Sequence, residues 1–104
     1  MIVVFDKKYL QELYQYGKSS EKKYRFQPPV VRKYRDCIEF LLEASDLQTL
    51  AKYNGLNLKK LTGDKKETFS IRVDKKYRIE FTVQEVHEPA VTICLITELS
   101  SHYK

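Results

Sequence analysis

The strongest constraint on this chain is a change of hydrophobic period near Gly55. Before it, apolar residues recur every three or four positions; after it, they recur every second position. Val30, Val31, Tyr34, Cys37, Ile38, Leu41 and Leu42 form a broad stripe on one helical face. Phe69, Ile71 and Val73, then Tyr77, Ile79, Phe81 and Val83, alternate with polar residues as half-buried strands do. A chain that must bury both patterns lays helices on one face of a sheet, which is an α+β architecture. At 104 residues the expectation is one domain spanning residues 1–104.

The remaining elements follow from local signals. "MIVVF" is a β-branched run without polar alternation and reads as a short buried strand. Asp6 offers a helix N-cap; Tyr9, Leu10, Leu13 and Tyr16 follow at helical spacing, and Gly17 suits the C-cap. Residues 18–27 are polar and loop-like. Pro28 and Pro29 fit the first turn of a second helix. A short third helix is expected over residues 46–53, ended by Asn54–Gly55. "AVTICLITE" is apolar on both faces and reads as a central strand. The expected order is βααβββ, a small antiparallel sheet with helices packed on one face and no linker or repeat.

Charge is confined to one segment. The chain carries a net +5, and residues 59–78 account for all of it: eight Lys or Arg against three acids, while the remaining eleven bases and eleven acids cancel. A polyanion is the natural partner, nucleic acid first. The alternative is a solvated strand edge guarded by lysines. If Val73 pairs with Tyr77 across Asp74–Lys76, Arg72 falls directly opposite Arg78 on the face away from the helices, with Ser70 opposite Glu80. Opposed cations in a sheet cost about 0.2–1 kcal/mol, so stability does not account for them. A bound phosphate does, because arginine presents a planar fork to its oxygens and lysine adds point charge. Alternatively, one arginine turns aside to pair with Glu80 or Glu98.

Other function classes are disfavoured. Cys37 and Cys94 fall at apolar positions and read as buried free thiols, which suits a reducing cytoplasm. No CxxC, HExxH or clustered His/Cys pattern points to a metal, and no other cofactor is expected. Three glycines leave no phosphate-cradling loop for a nucleoside triphosphate. "MIVVF" is too short for a signal peptide, and "AVTICLI" too short to cross a membrane, so no membrane role is expected. His87 sits in an apparent hairpin turn and is assigned no role. His102, on the tail leaving the central strand, has a side chain of the kind that can titrate near neutral pH and is a candidate acid or base, against a plain solvated tail.

With its short strand, two helices, "LNLKKLTGDKKETFSIRVDKKYRIEF" and "ELSSHY", the chain resembles the HigB-type toxins of the RelE/ParE superfamily. The shared features are a turn at Leu61, Gly63, Asp64 and Lys65, a strand with Phe69, Ser70, Ile71 and Val73, and a strand with Tyr77, Arg78, Ile79 and Phe81. The resemblance implies the toxin of a bacterial type II toxin–antitoxin pair, a cytoplasmic, metal-independent endoribonuclease that cuts mRNA on the ribosome. It implies a HigA-like helix-turn-helix antitoxin as partner, with the ribosome and mRNA as targets. ParE-like relatives on the same fold poison gyrase instead, and a non-catalytic basic binding module is the other alternative. By resemblance, Arg78 stabilises the phosphate, Arg72 seconds it, and His102 is general acid or base with Tyr103 as substitute. Lys59, Lys60, Lys65, Lys66, Lys75 and Lys76 would hold the RNA backbone. Two departures stand out: Ser100 and Ser101 replace the Asp and Tyr of a D-Y-H-like ending, and Lys59 stands where some members have histidine. The general base is therefore unassigned, with a lysine of depressed pKa as one option. The alternation also places Arg78 off the apolar face, so its removal should spare the fold.

Overall fold

The computed structural model describes residues 1–65 and 67–101. Strands β1 (Ile2–Phe5), β2 (Lys59–Lys60), β3 (Phe69–Arg72), β4 (Arg78–His87) and β5 (Ala90–Ser100) form one sheet in the order β1-β5-β4-β3-β2. Helices α1 (Lys8–Tyr16), α2 (Pro28–Glu43) and α3 (Leu47–Ala51) complete the α+β fold that the periodicity predicts. The sheet is mixed rather than antiparallel throughout: β1 lies parallel to β5, with Ile2 opposite Ile93 and Phe5 opposite Ile96. The connection from β1 to β5 runs through all three helices and strands β2, β3 and β4, enough chain to return in the same direction, which a tight hairpin cannot do.

The core lies between the helices and one face of the sheet. Tyr9, Leu10 and Leu13 of α1 and Val30, Val31, Tyr34, Cys37, Ile38 and Leu41 of α2 meet Ile71, Ile79, Phe81, Cys94 and Ile96. Tyr34 is fully buried, and its hydroxyl donates to Leu10 O at 2.7 Å, so burying the ring leaves no orphan polar atom. Leu42, counted in the apolar stripe, is exposed instead; it turns off the buried face of α2, whose neighbouring Leu41 stays in the core.

Local signals hold with four corrections. Gly17 closes α1 at φ 76°, a left-handed cap, and its N–H donates to Leu13 O. Pro28 and Pro29 open α2 behind Gln27. Asp6 is not the N-cap of α1, because its N–H donates to Ile96 O at 2.9 Å and keeps it in the β1 register; Lys7 takes the position without a side-chain cap. Asp46 does cap α3, accepting from Thr49 N–H at 2.8 Å. The third helix ends at Ala51, and Asn54–Leu56 forms a separate 3₁₀ turn. β1 is an edge strand rather than a buried one: Val3 and Phe5 pack on the core while Ile2 and Val4 face outward, exposed. Finally, Lys59–Lys60 forms a two-residue strand that has no hydrophobic pattern to announce it; β3 pairing alone defines it. β5 occupies the central position expected of it, between β1 and β4. Among the described residues no helix is long and apolar enough to cross a membrane.

Both cysteines are buried and free. Burial pushes each thiol up to about 12 from an ordinary 9.0. A proton held more tightly in the folded state gives stability that is complete below the ordinary value and lost as pH rises toward the folded one. The urea midpoint should therefore hold to about pH 9 and fall progressively toward about pH 12. A thiol reagent at mildly alkaline pH should label neither cysteine until the protein unfolds; fast native labelling would contradict this burial.

Candidate active site

The β3–β4 turn builds one end of the site. Val73 N–H donates to Tyr77 O at 3.0 Å, the pairing the sequence implies. The Asp74 carboxylate accepts from the backbone N–H groups of Lys76 (2.8 Å) and Tyr77 (2.7 Å), an Asx-type turn that leaves Lys75 and Lys76 exposed. The register that follows sets Arg72 opposite Arg78 and Ser70 opposite Glu80, as expected.

The two arginines then separate. Arg72 is exposed, and its Nε donates to Asp74 O at 3.3 Å. Arg78 turns inward and is 5% exposed. Its Nε donates to Ser70 Oγ at 2.9 Å, and its Nη2 donates to Ser70 O at 3.2 Å and to Asn57 O. Asn57 adopts a left-handed conformation (φ 46°), which an L-residue other than glycine seldom does and Asn tolerates best. The opposition of like charges is eased by geometry, one guanidinium directed to solvent and one to backbone and hydroxyl acceptors. This corrects the expectation that Arg78 is dispensable for folding: it is off the apolar face, yet it is interior to the polar one.

The carboxylates are spoken for by a lysine. Lys65 Nζ lies 2.7 Å from Glu80 Oε1 and 3.6 Å from Glu98 Oε2. Glu80 is buried and Lys65 is half exposed. The hydrogen bond to Glu80 holds the Lys65 ammonium above its ordinary pKa, so it stays charged through neutral pH. The alternative in which an arginine seeks Glu80 or Glu98 is met in kind by Lys65, whose charge is directed to these acids rather than to the groove. A bulge brings Glu98 here: Glu80 is paired with Glu98 but Phe81 with Ile96, so Thr97 is the extra residue, and its Oγ1 donates to Glu80 O at 3.1 Å. Past the bulge Ser100 pairs with Arg78, and Leu99 stays in the core, with its N–H donating to Tyr9 OH.

Asn57, Lys59, Arg72, Asp74, Lys75, Lys76 and Arg78 line one groove of about 310 Å³. Five of these seven are cations and one is an acid, already turned to its own backbone amides. Such a surface suits a phosphate or another oxyanion. Lys60 is not part of it: alternation along β2 sets Lys60 opposite Phe69, with its Nζ 5.9 Å from that ring, while Lys59 lies opposite Ser70. Lys66, His102 and Tyr103 lie outside the described residues. Asn57 and Asp74 are site residues that sequence reading passed over. The Asp at the head of a D-K-K turn was a readable signal; nothing in the sequence announces the Asn57 carbonyl.

The sequence profile of the HigB-like toxins, RelE-like toxins of the type II toxin–antitoxin system HigB, matches residues 3–92. The chain belongs to this family. It is accordingly a toxin of a type II toxin–antitoxin system, in a family whose members are generally endoribonucleases, and an antitoxin is its partner. Arg72 and Arg78 fall inside the matched span; His102 and Tyr103 fall beyond it. Among solved structures, the YoeB/ParE toxin from Agrobacterium tumefaciens is similar at 15% identity and a TM-score of 0.59, covering 99% of this chain and 100% of that one. At that identity the likeness is one of fold. No individually curated protein matches the chain.

Replacing Arg78 with alanine strips donors from the buried Ser70 and from the Asn57 carbonyl. The expected loss is about 1–3 kcal/mol of folding stability, against under about 0.5 kcal/mol for Arg72→Ala at the exposed position. Urea denaturation of the two variants checks this; equal midpoints would overturn the structural role of Arg78.

Proposed function

We propose that this chain, as one toxin domain over residues 1–104, is a ribosome-dependent mRNA endoribonuclease that inhibits translation and arrests growth. It acts in the bacterial cytoplasm and is neutralised by a HigA-like helix-turn-helix antitoxin. The observation that carries the reading is the pair of opposed arginines in a groove with Lys59, Lys75 and Lys76. In metal-independent RNA cleavage the ribose 2′-oxygen attacks the adjacent phosphorus and the 5′-oxygen leaves. The products are a 2′,3′-cyclic phosphate and a 5′-hydroxyl. The attacking hydroxyl loses a proton to a base, the leaving oxygen gains one from an acid, and cations stabilise the extra charge on the phosphorus oxygens. Arg78, held by Ser70 and Asn57, supplies a positioned cation that needs no rearrangement during the reaction. Arg72, Lys59, Lys75 and Lys76 gather the flanking phosphates. His102 follows Ser100 by two residues, and Ser100 pairs with Arg78. It is assigned as general acid or base, with Tyr103 next in line.

Induced expression followed by mapping of mRNA 5′ ends tests the reading. New ends inside coding regions are expected; growth arrest with intact mRNA would favour a ParE-like inhibitor of a protein target such as gyrase. Ribosome association should weaken with salt, and Arg72→Ala should lower the log–log salt slope by about 0.7, the value for one single-strand phosphate contact. A basic module without catalysis predicts that binding and toxicity fall together. The nuclease predicts that they separate at His102: His102→Gln should slow single-turnover cleavage on programmed ribosomes by about 10²–10⁴ and leave ribosome affinity intact. Cleavage within about threefold of wild type would remove His102 from the chemistry and send the same assay to Tyr103→Phe.

A further inference from the structure

The cationic groove does not stop at Arg72. A second cavity, of about 460 Å³, shares Arg72, Asp74, Lys75 and Lys76 with it and extends to Lys33 and Gly55. A third, of about 510 Å³, shares Lys33, Gly55, Arg72 and Val73 with the second and runs between α2 and the turn that follows α3. Arg72 lines all three, so the three cavities adjoin one another around its side chain.

The third cavity differs in chemistry from the groove. Its lining includes two aromatic rings, Phe40 and Tyr53. Their centroids lie 5.1 Å apart at an interplanar angle of 58°, and the residues are 36% and 41% exposed, so both rings keep accessible surface. Lys33, Lys52 and Arg72 contribute three cations to the same lining and Asp36 one acid. Aromatic surface bordered by net positive charge, sharing Arg72 with the cationic groove, matches a nucleotide part by part: a flat π-face for the rings and an anionic linkage for the cations.

We propose that this cleft is a nucleobase site, in which an unpaired base of the RNA strand stacks on Tyr53 with Phe40 at its edge while Arg72 holds the phosphate between that base and the groove. The proposal rests on the nuclease reading and adds to it a substrate requirement: the strand entering the site is single-stranded and is gripped through a base as well as through its backbone. Three cations against one acid, together with an Arg72 shared with the groove, favour RNA over an apolar anchor of the antitoxin. Tyr53 reaches the cleft from a turn whose backbone bonds, Tyr53 N–H to Leu50 O and Leu56 N–H to Tyr53 O, do not depend on its ring. Substitution there spares the fold.

Fluorescence anisotropy with two probes tests it: a 2′-O-methyl RNA decamer, which cannot be cut by its own 2′-oxygen, and the same backbone made fully abasic. Wild type should bind the RNA more tightly than the abasic strand. Tyr53→Ala should weaken RNA binding about 5-fold to 150-fold, the usual range for one base–aromatic stack, and leave abasic binding unchanged. Tyr53→Phe should behave as wild type, and Phe40→Ala should repeat the Tyr53→Ala pattern more weakly. Arg72→Ala should weaken both probes alike. Equal binding of the two probes by wild type, with no effect of Tyr53→Ala, overturns the base site and leaves the nuclease reading standing. An RNA affinity unchanged in Tyr53→Ala while the antitoxin's affinity falls assigns the cleft to the antitoxin and also overturns it. If wild type binds neither probe at low salt, the base site is overturned, while the ribosome-dependent nuclease reading still stands or falls on its own 5′-end mapping.

Discussion

Everything at the candidate site depends on a buried guanidinium. Arg78 begins β4, and its hydrogen bonds reach across to Ser70 on β3 and beyond it to the Asn57 carbonyl that precedes β2. Three segments distant in sequence are tied at one point, and the tie is made by a cation. A buried charge is tolerable only where its donors find good acceptors. The left-handed turn at Asn57 is part of that provision, since it helps bring a carbonyl to a position no regular strand would supply. The same contacts that make Arg78 structural also hold it still. A preorganised cation is worth more to a developing oxyanion than a flexible one, because nothing must reorient as charge accumulates.

The cations around it divide by exposure. Arg72, Lys59, Lys75 and Lys76 are exposed, which suits capture and steering of phosphates. Arg78 is fixed below them. Lys65, by contrast, is bound to two carboxylates, Glu80 and Glu98, that stand opposite each other in adjacent strands. Like charges so placed repel, and an ammonium between them relieves the repulsion. A count of lysines in the basic segment therefore overstates what the groove offers an anion. Lys60 makes the same point from another direction, since it lies over an aromatic ring on the opposite side of the strand.

Much of this was legible in the residues alone. The period switch at Gly55 dictates helices on a sheet because only that arrangement buries a 3.6-period stripe and period-2 strands together. Hairpin pairing of Val73 with Tyr77 follows from alternation, and with it the opposition of Arg72 and Arg78, because a one-residue slip would turn every apolar side chain of β4 outward. The burial of both cysteines follows from their positions, Cys37 on the helical apolar stripe and Cys94 within an apolar run. Tertiary structure decided the rest. Alternation says which face Arg78 occupies but not whether that face is wet; Arg78 is buried there and bonds the Asn57 carbonyl, and where that carbonyl comes to lie is a long-range packing outcome. Nothing local marks Thr97 as a bulge, yet that single extra residue rephases the end of β5, keeps Leu99 in the core and delivers Glu98 and Ser100 to the polar side. The pairing of Lys65 with Glu80 joins residues fifteen apart through the sheet. Sequence periodicity encodes faces, because side-chain direction repeats with the backbone; it does not encode what another segment brings to a face, and that contact is what turned an arginine on the polar side into the centre of the site.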